Sequence, residues 1–250
     1  MGPIDHLLAL AVAVAVPALS RPPDDETRAM IQGNLELRRA LHLQTMLMQW
    51  LLASVCLWRI EAQGGTGGSI GLSPAGQEPG LLIGWAFVLA FALWRVVRGP
   101  WVLASRSRSA EVLAEARATA PFLPHGRRDG RTWVLLSFTA GLCEEVVYRG
   151  YLIAYGMVLA GGELAPPRPD APLAWASAAV ASGAFAGAHL YQGGRQAAKI
   201  GVAGAMFGAL YLLSGSLWPG IVLHVFVDVH EGWLARELIR RAPLEEPSTP

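Results

Sequence analysis

Seven stretches of this chain are each long and apolar enough to cross a lipid bilayer: residues 4–20, 41–60, 81–97, 131–160, 173–190, 198–214 and 217–234. A bilayer-spanning helix needs about 20 mostly apolar residues. Inside lipid every backbone polar group must be satisfied within the segment, which for apolar runs of this size means helices. The expected fold is therefore all-α, a polytopic membrane bundle of about seven transmembrane helices forming one integral membrane domain over residues 1–250. The fourth run is long enough to be tilted or broken. Residues 109–118 mix Glu111, Glu115 and Arg117 with Val112 and Leu113, as a helix lying at the cytoplasmic interface would, ahead of a Pro-Phe-Leu-Pro turn at 121–124. A broken or interfacial helix would bring the count to eight. Composition agrees, with 16% charged and 53% hydrophobic residues, against about 25% charged in ordinary soluble domains. A soluble enzyme, a disordered chain and a charge-driven nucleic-acid binder are excluded on this ground, and membrane lipid is the expected surrounding. Cys56 and Cys143 sit in different apolar runs and read as packing residues.

The first run lacks a preceding basic residue and a small-residue cleavage site before Arg21, Pro22 and Pro23, so it reads as a retained helix rather than a signal peptide. The segments at 21–40, 61–80 and 161–172 read as loops: the first is charged, the second rich in Gly, Ser and Pro, the third carries four prolines. Basic residues in short loops stay on the cytoplasmic side. Of the 20 Lys and Arg, 17 fall on alternate segments, and the opposite set holds Arg168, with Arg59 at the outer end of run two and Arg149 inside run four. This alternation gives an outside N-terminus and a cytoplasmic C-terminus over seven spans. Arginine in place of lysine, beside abundant Ala and Gly, suggests a high-GC bacterial source and hence a bacterial cytoplasmic (inner) membrane.

Ionisable residues inside a span are costly and mark function or a polar partner by default. Run four carries Glu144, Glu145 and Arg149. Glu145 and Arg149 are four apart on one helical face and positioned to pair, while Glu144 points about 100° away and is left without a basic partner in sequence. Run five ends with Phe185 and His189 one turn apart, and run seven carries His224 and Asp228 at the same spacing. The plain alternative is interhelical glue, in which each hydrogen bond contributes about 0.6 kcal/mol. That reading suits the Glu145–Arg149 pair best and divides evenly for His189 alone. Glu144, His189, His224 and Asp228 together favour a site, because three hydrophobic helices each deliver a group that moves protons or holds a metal. His6, His42, His125 and His230 lie near span ends or loops and read as structural.

At these residues the sequence resembles the CPBP family of intramembrane proteases, also called the Abi or CAAX-protease family. The family pattern is Glu-Glu-x-x-x-Arg, Phe-x-x-x-His, then His-x-x-x-Asn or a similar polar residue. It is matched here by Glu144, Glu145 and Arg149, by Phe185 and His189, and by His224 and Asp228. The resemblance covers residues 121 to 228, so that a catalytic core over 121–230 is expected, and it says little about the first hundred residues. It implies that Glu144 and His189 activate a water for attack on a peptide carbonyl, that His224 and residue 228 stabilise the oxyanion, and that Glu145, Arg149 and Phe185 support them. The chain departs from the pattern at Asp228, where an ionised carboxylate can only accept and an amide would donate. Asp228 would then be protonated, or orient His224, or belong to a metal site. Zn²⁺ held by His189, His224, Asp228 and Glu144 is the metal alternative, and the absence of a compact His-Glu-x-x-His helix tilts the reading toward direct activation by Glu144 and His189.

The expected function is an intramembrane endopeptidase that hydrolyses a peptide bond of a membrane-associated or lipidated peptide or protein. A bacterial source argues against prenylated CAAX substrates. The competing reading is a non-proteolytic membrane protein, for bacteriocin self-immunity, scaffolding or ion relay, built on the same polar cluster. The internal symmetry common in transporters is not found.

Overall fold

The computed structural model describes residues 1–116, 122–124 and 126–241. Among them the chain is all-helical, with no strand. Helix α1 (Pro3–Leu19) winds through a wider π turn at Ala11–Ala15. It is followed by α2 (Asp25–Gly33), α3 (Leu35–Ala62), α4 (Gly80–Leu103) and α5 (Arg106–Ala116). The next helix, α6, runs unbroken as Arg127–Glu144, a π-helical stretch Glu145–Leu152, and Ile153–Leu159. Three helices complete the order: α7 (Pro172–Ala188), α8 (Gly194–Ser214) and α9 (Trp218–Arg241).

Each apolar run of the sequence forms a helix, although the fifth run's helix stops at Ala188, and the helices overrun the apolar stretches at several ends. The reason is capping, which hydropathy does not see. The charged segment 21–40, expected as a loop, instead holds all of α2 and the first turns of α3. Asp24 accepts the Thr27 N–H at 2.8 Å and caps α2, with Asp25 and Glu26 in its first turn facing the positive end of the helix dipole. That hydrogen bond holds the Asp24 carboxyl below its ordinary pKa. Asn34 accepts the Leu37 N–H at 3.0 Å and starts α3 six residues before the apolar run begins at Leu41. The expected interfacial helix is α5, ending at Ala116; the rest of that stretch, Pro121 of the expected turn, and His125 lie outside the described residues.

Three helices are both long and apolar enough to cross a membrane: α3, α4 and α8. Helix α1 is shorter, α7 has 17 residues, and α6 and α9 carry the ionisable groups. Apolar side chains such as Leu47, Leu51, Leu82, Leu89 and Val97 face outward along α3 and α4, as they do on a protein surrounded by lipid. The chain is an integral membrane protein on these grounds.

Helix α6 is central. It packs between α3 and α9, its C-terminal half lies against α7, and α7 in turn packs along α8. The fourth run is therefore not broken. It changes winding from α to π within the helix, and every residue from Glu145 to Leu152 is buried. Its approach to α9 depends on Gly141. A Cβ there would overlap the Val225 side chain, lying 3.0 Å from Val225 N and 3.3 Å from Ile221 O. Both cysteines are free and fully buried, as packing residues are.

Two further buried ion pairs tie the helices outside this region. Arg59 of α3 reaches Asp5 of α1 at 2.8 and 3.0 Å, with Gln63 adding a third bond to the same carboxylate at 3.0 Å. Arg38 of α3 bonds Asp129 of α6 at 3.2 Å. Of the histidines read as structural, His42 contacts Thr132 Oγ1 and Phe122 O, His6 contacts Tyr155 Oη, and His230 contacts Arg95.

Candidate active site

The π-helical stretch begins where the two glutamates meet. Such wide turns gather at functional sites because they re-aim side chains within an otherwise regular helix. Glu145 and Arg149 face one another at 3.0 Å, and both side chains are 1% exposed. Arg149 also donates to Gly204 O of α8 at 3.2 Å and lies over the Phe185 and Phe207 rings, 4.3 and 5.2 Å from their centroids. Gly204 has to be small: a Cβ there would sit 3.2 Å from Arg149 Nη2 and 3.1 Å from Phe185 Cδ1. The buried guanidinium thus has carboxylate, carbonyl and aromatic partners, which is what makes a charge tolerable away from water.

Glu145 has a second partner that its helix-local spacing does not reveal. His224 Nδ1 lies 2.9 Å from the same Oε1. A carboxylate accepts, so Nδ1–H donates and the imidazole presents Nε2 to the other side. There it faces Glu144 Oε2 at 3.7 Å and Asp228 Oδ2 at 3.8 Å. Both separations exceed a hydrogen bond and are of the kind a bridging water or a substrate oxygen spans. Phe207 stacks on His224 at 5.1 Å with an interplanar angle of 15°, closing one side of the ring.

His189 stands one residue beyond the end of α7, as its C-cap, rather than within the helix. Its Nδ1 lies 2.8 Å from Phe185 O, so Nδ1–H is bound to backbone and Nε2 is free to accept a proton. Phe185, 2% exposed, touches both imidazoles edge-on, His189 at 4.6 Å and His224 at 6.1 Å between centroids.

The structure therefore brings Glu144, Glu145, Arg149, His224 and Asp228 into one cluster, with Phe185 carrying His189 against it. Two details differ from the sequence expectations. Asp228 does not orient His224 by a hydrogen bond; Glu145 does. Arg149 and Glu145 act on His224 as well as on their own helix. One residue was missed altogether: Gln49 of α3 donates from Nε2 to Glu144 Oε1 at 2.7 Å. The signal available in sequence was one of two amides, Gln44 and Gln49, in an apolar run, and neither carries a spacing motif. The Zn²⁺ alternative fits poorly, because among the described residues no group of three or more His, Cys, Asp or Glu side chains converges as a metal centre requires.

Residues 130–230 match the family model described as type II CAAX prenyl endopeptidase Rce1-like. The matched segment begins in the first turn of α6 and ends within α9, enclosing every cluster residue except Gln49. No curated protein and no solved structure matches the chain.

Proposed function

We propose, for a chain that through residues 130–230 belongs to the CAAX-protease family, that it is an intramembrane endopeptidase acting on the backbone of a membrane-associated or lipidated peptide. The observation that carries this reading is the division of labour between adjacent glutamates. Glu145 is consumed by Arg149 and His224. Glu144 keeps Oε2 turned toward the open edge of His224.

In this reading a water held between Glu144 Oε2 and the His224–Asp228 edge is the nucleophile. Glu144 takes its proton as the water oxygen bonds to the scissile carbonyl carbon, and later gives that proton to the leaving nitrogen as the C–N bond breaks. His189, with Nδ1–H fixed on Phe185 O, offers Nε2 as an acceptor that orients the water. His224, positioned by Glu145, stabilises the oxyanion, and Asp228 sits beside it. No step is assigned to a metal. The chain crosses the bilayer seven times in this proposal, with the N-terminus outside and the C-terminus in the cytoplasm of a bacterial inner membrane.

The test is cleavage of quenched-fluorescent peptides, with and without S-farnesyl cysteine, by purified protein in proteoliposomes. Glu144→Gln should abolish cleavage while the protein stays folded and monodisperse. Full cleavage by that variant would defeat the mechanism, and a membrane phenotype that survives it would favour a non-proteolytic role.

A further inference from the structure

Gln49, which contacts Glu144, lies outside the segment that matches the family, on α3, 95 residues earlier in the chain. The geometry of that contact is specific. The amide donates to Oε1 of Glu144, the oxygen that is not the one facing His224. An ionised carboxylate accepts only, so the NH₂ of Gln49 must be the end that meets it, and the carbonyl oxygen must point elsewhere. That oxygen, Gln49 Oε1, is shielded from solvent and has no hydrogen-bond partner among the described residues.

The terminal torsion of a glutamate is broad, so its own helix does not decide which carboxylate oxygen faces the site. Here the decision comes from another helix: α3 packs against α6 and Gln49 takes Oε1 of Glu144 at 2.7 Å, which leaves Oε2 as the oxygen toward His224.

We infer that Gln49 is a positioning residue of this site: its Nε2–H holds Oε1 of Glu144 and so fixes the rotamer that turns Oε2 to the open edge of His224. This rests on the peptidase reading above. The water keeps the two acceptors already named, Glu144 Oε2 for the proton it loses and His189 Nε2 for the one it keeps, and Gln49 acts through the orientation of the first. The reaction is ordinary hydrolysis. One O–C bond forms, one C–N bond breaks, and the proton passes through Glu144 to the departing amine. Gln49 changes no bond.

The experiment uses full-length protein in proteoliposomes with the farnesylated and unmodified quenched peptides. Gln49→Met keeps length and removes both polar atoms. Gln49→Glu keeps shape and an acceptor but replaces the donor that faces Glu144. The expected result for both is a fall in kcat of tenfold or more, with KM within threefold of wild type and an unchanged melting temperature. Wild-type kcat in Gln49→Glu overturns the inference, as does a loss confined to KM or to thermal stability in either variant. Glu144→Gln, run alongside, separates this from the underlying reading. If Glu144→Gln is inactive and the Gln49 variants are normal, only the role of Gln49 falls. If the wild type cleaves none of the peptides, or Glu144→Gln remains active, the peptidase reading falls and takes this inference with it.

Discussion

Glu145 Oε1 receives two donors from two different helices, Arg149 Nη1 at 3.0 Å and His224 Nδ1 at 2.9 Å. One buried oxygen thereby couples the π-helical stretch of α6 to α9, and fixes which nitrogen of His224 turns toward Glu144.

Removing Glu145 should be more damaging to the fold than removing Glu144. Breaking one side of a buried ion pair leaves an uncompensated charge and costs about 3–5 kcal/mol, and here both Glu145 and Arg149 are 1% exposed. Glu145→Ala is expected to lower thermal stability in detergent markedly, whereas Glu144→Gln, at a partly exposed position, leaves it near wild type. Equal melting temperatures for the two variants would contradict this assignment.

Asp228 departs from the amide-bearing family pattern, and its side chain is 31% exposed. It makes no hydrogen bond to His224, whose Nδ1–H is already taken by Glu145. Asp228→Asn should therefore keep the shape of the site and add a donor, leaving kcat within about tenfold of wild type. Asp228→Ala, which removes the polar group beside His224 Nε2 on the edge that holds the water, should fall further than Asp228→Asn. Steady-state cleavage by both variants checks the order, and an inactive Asp228→Asn would show that the charge itself is needed.

Gly141 lies one turn before Glu144 and meets α9 next to His224. Gly141→Val forces the helices apart at the place where their two functional side chains face each other. Overpacking of this kind costs about 1–3 kcal/mol. The expected signature is loss of stability together with loss of cleavage. The same substitution at Gly183, where a Cβ meets nothing within 4 Å, should be milder on both counts.

Chelation should not inhibit. With no convergent set of three metal-binding side chains among the described residues, cleavage is expected to persist in strong chelator, and purified protein to contain zinc well below one equivalent. Stoichiometric zinc with chelator-sensitive activity would reverse this.

Much of the molecule was legible in the chain itself. Seven apolar runs specified helices because lipid allows an apolar run no other way to satisfy its backbone, and their polar exceptions named Glu144, Glu145, Arg149, His189, His224 and Asp228 as the residues to watch. The i to i+4 pairing of Glu145 with Arg149 follows from helix geometry alone and is present. Helix ends were less legible. Hydropathy registers what lipid accepts, whereas α2 and the start of α3 are set by Asp24 and Asn34, whose capping bonds work equally well in a charged segment.

The choice of partners across helices belonged to the tertiary structure. The acceptor for Nδ1–H of His224 is Glu145, 79 residues away, and not Asp228, four residues away. Spacing favours Asp228, and the close approach of α6 to α9 at Gly141 delivers Glu145. Gln49 is the sharper case. Periodicity can say which residues share a face of one helix, but which face of α3 meets which turn of α6 depends on the packing of all the helices together. The chain determined that charged groups would be held inside a membrane; only their convergence in three dimensions decided that one glutamate is tied up by an arginine and a histidine while its neighbour faces the open edge of the site.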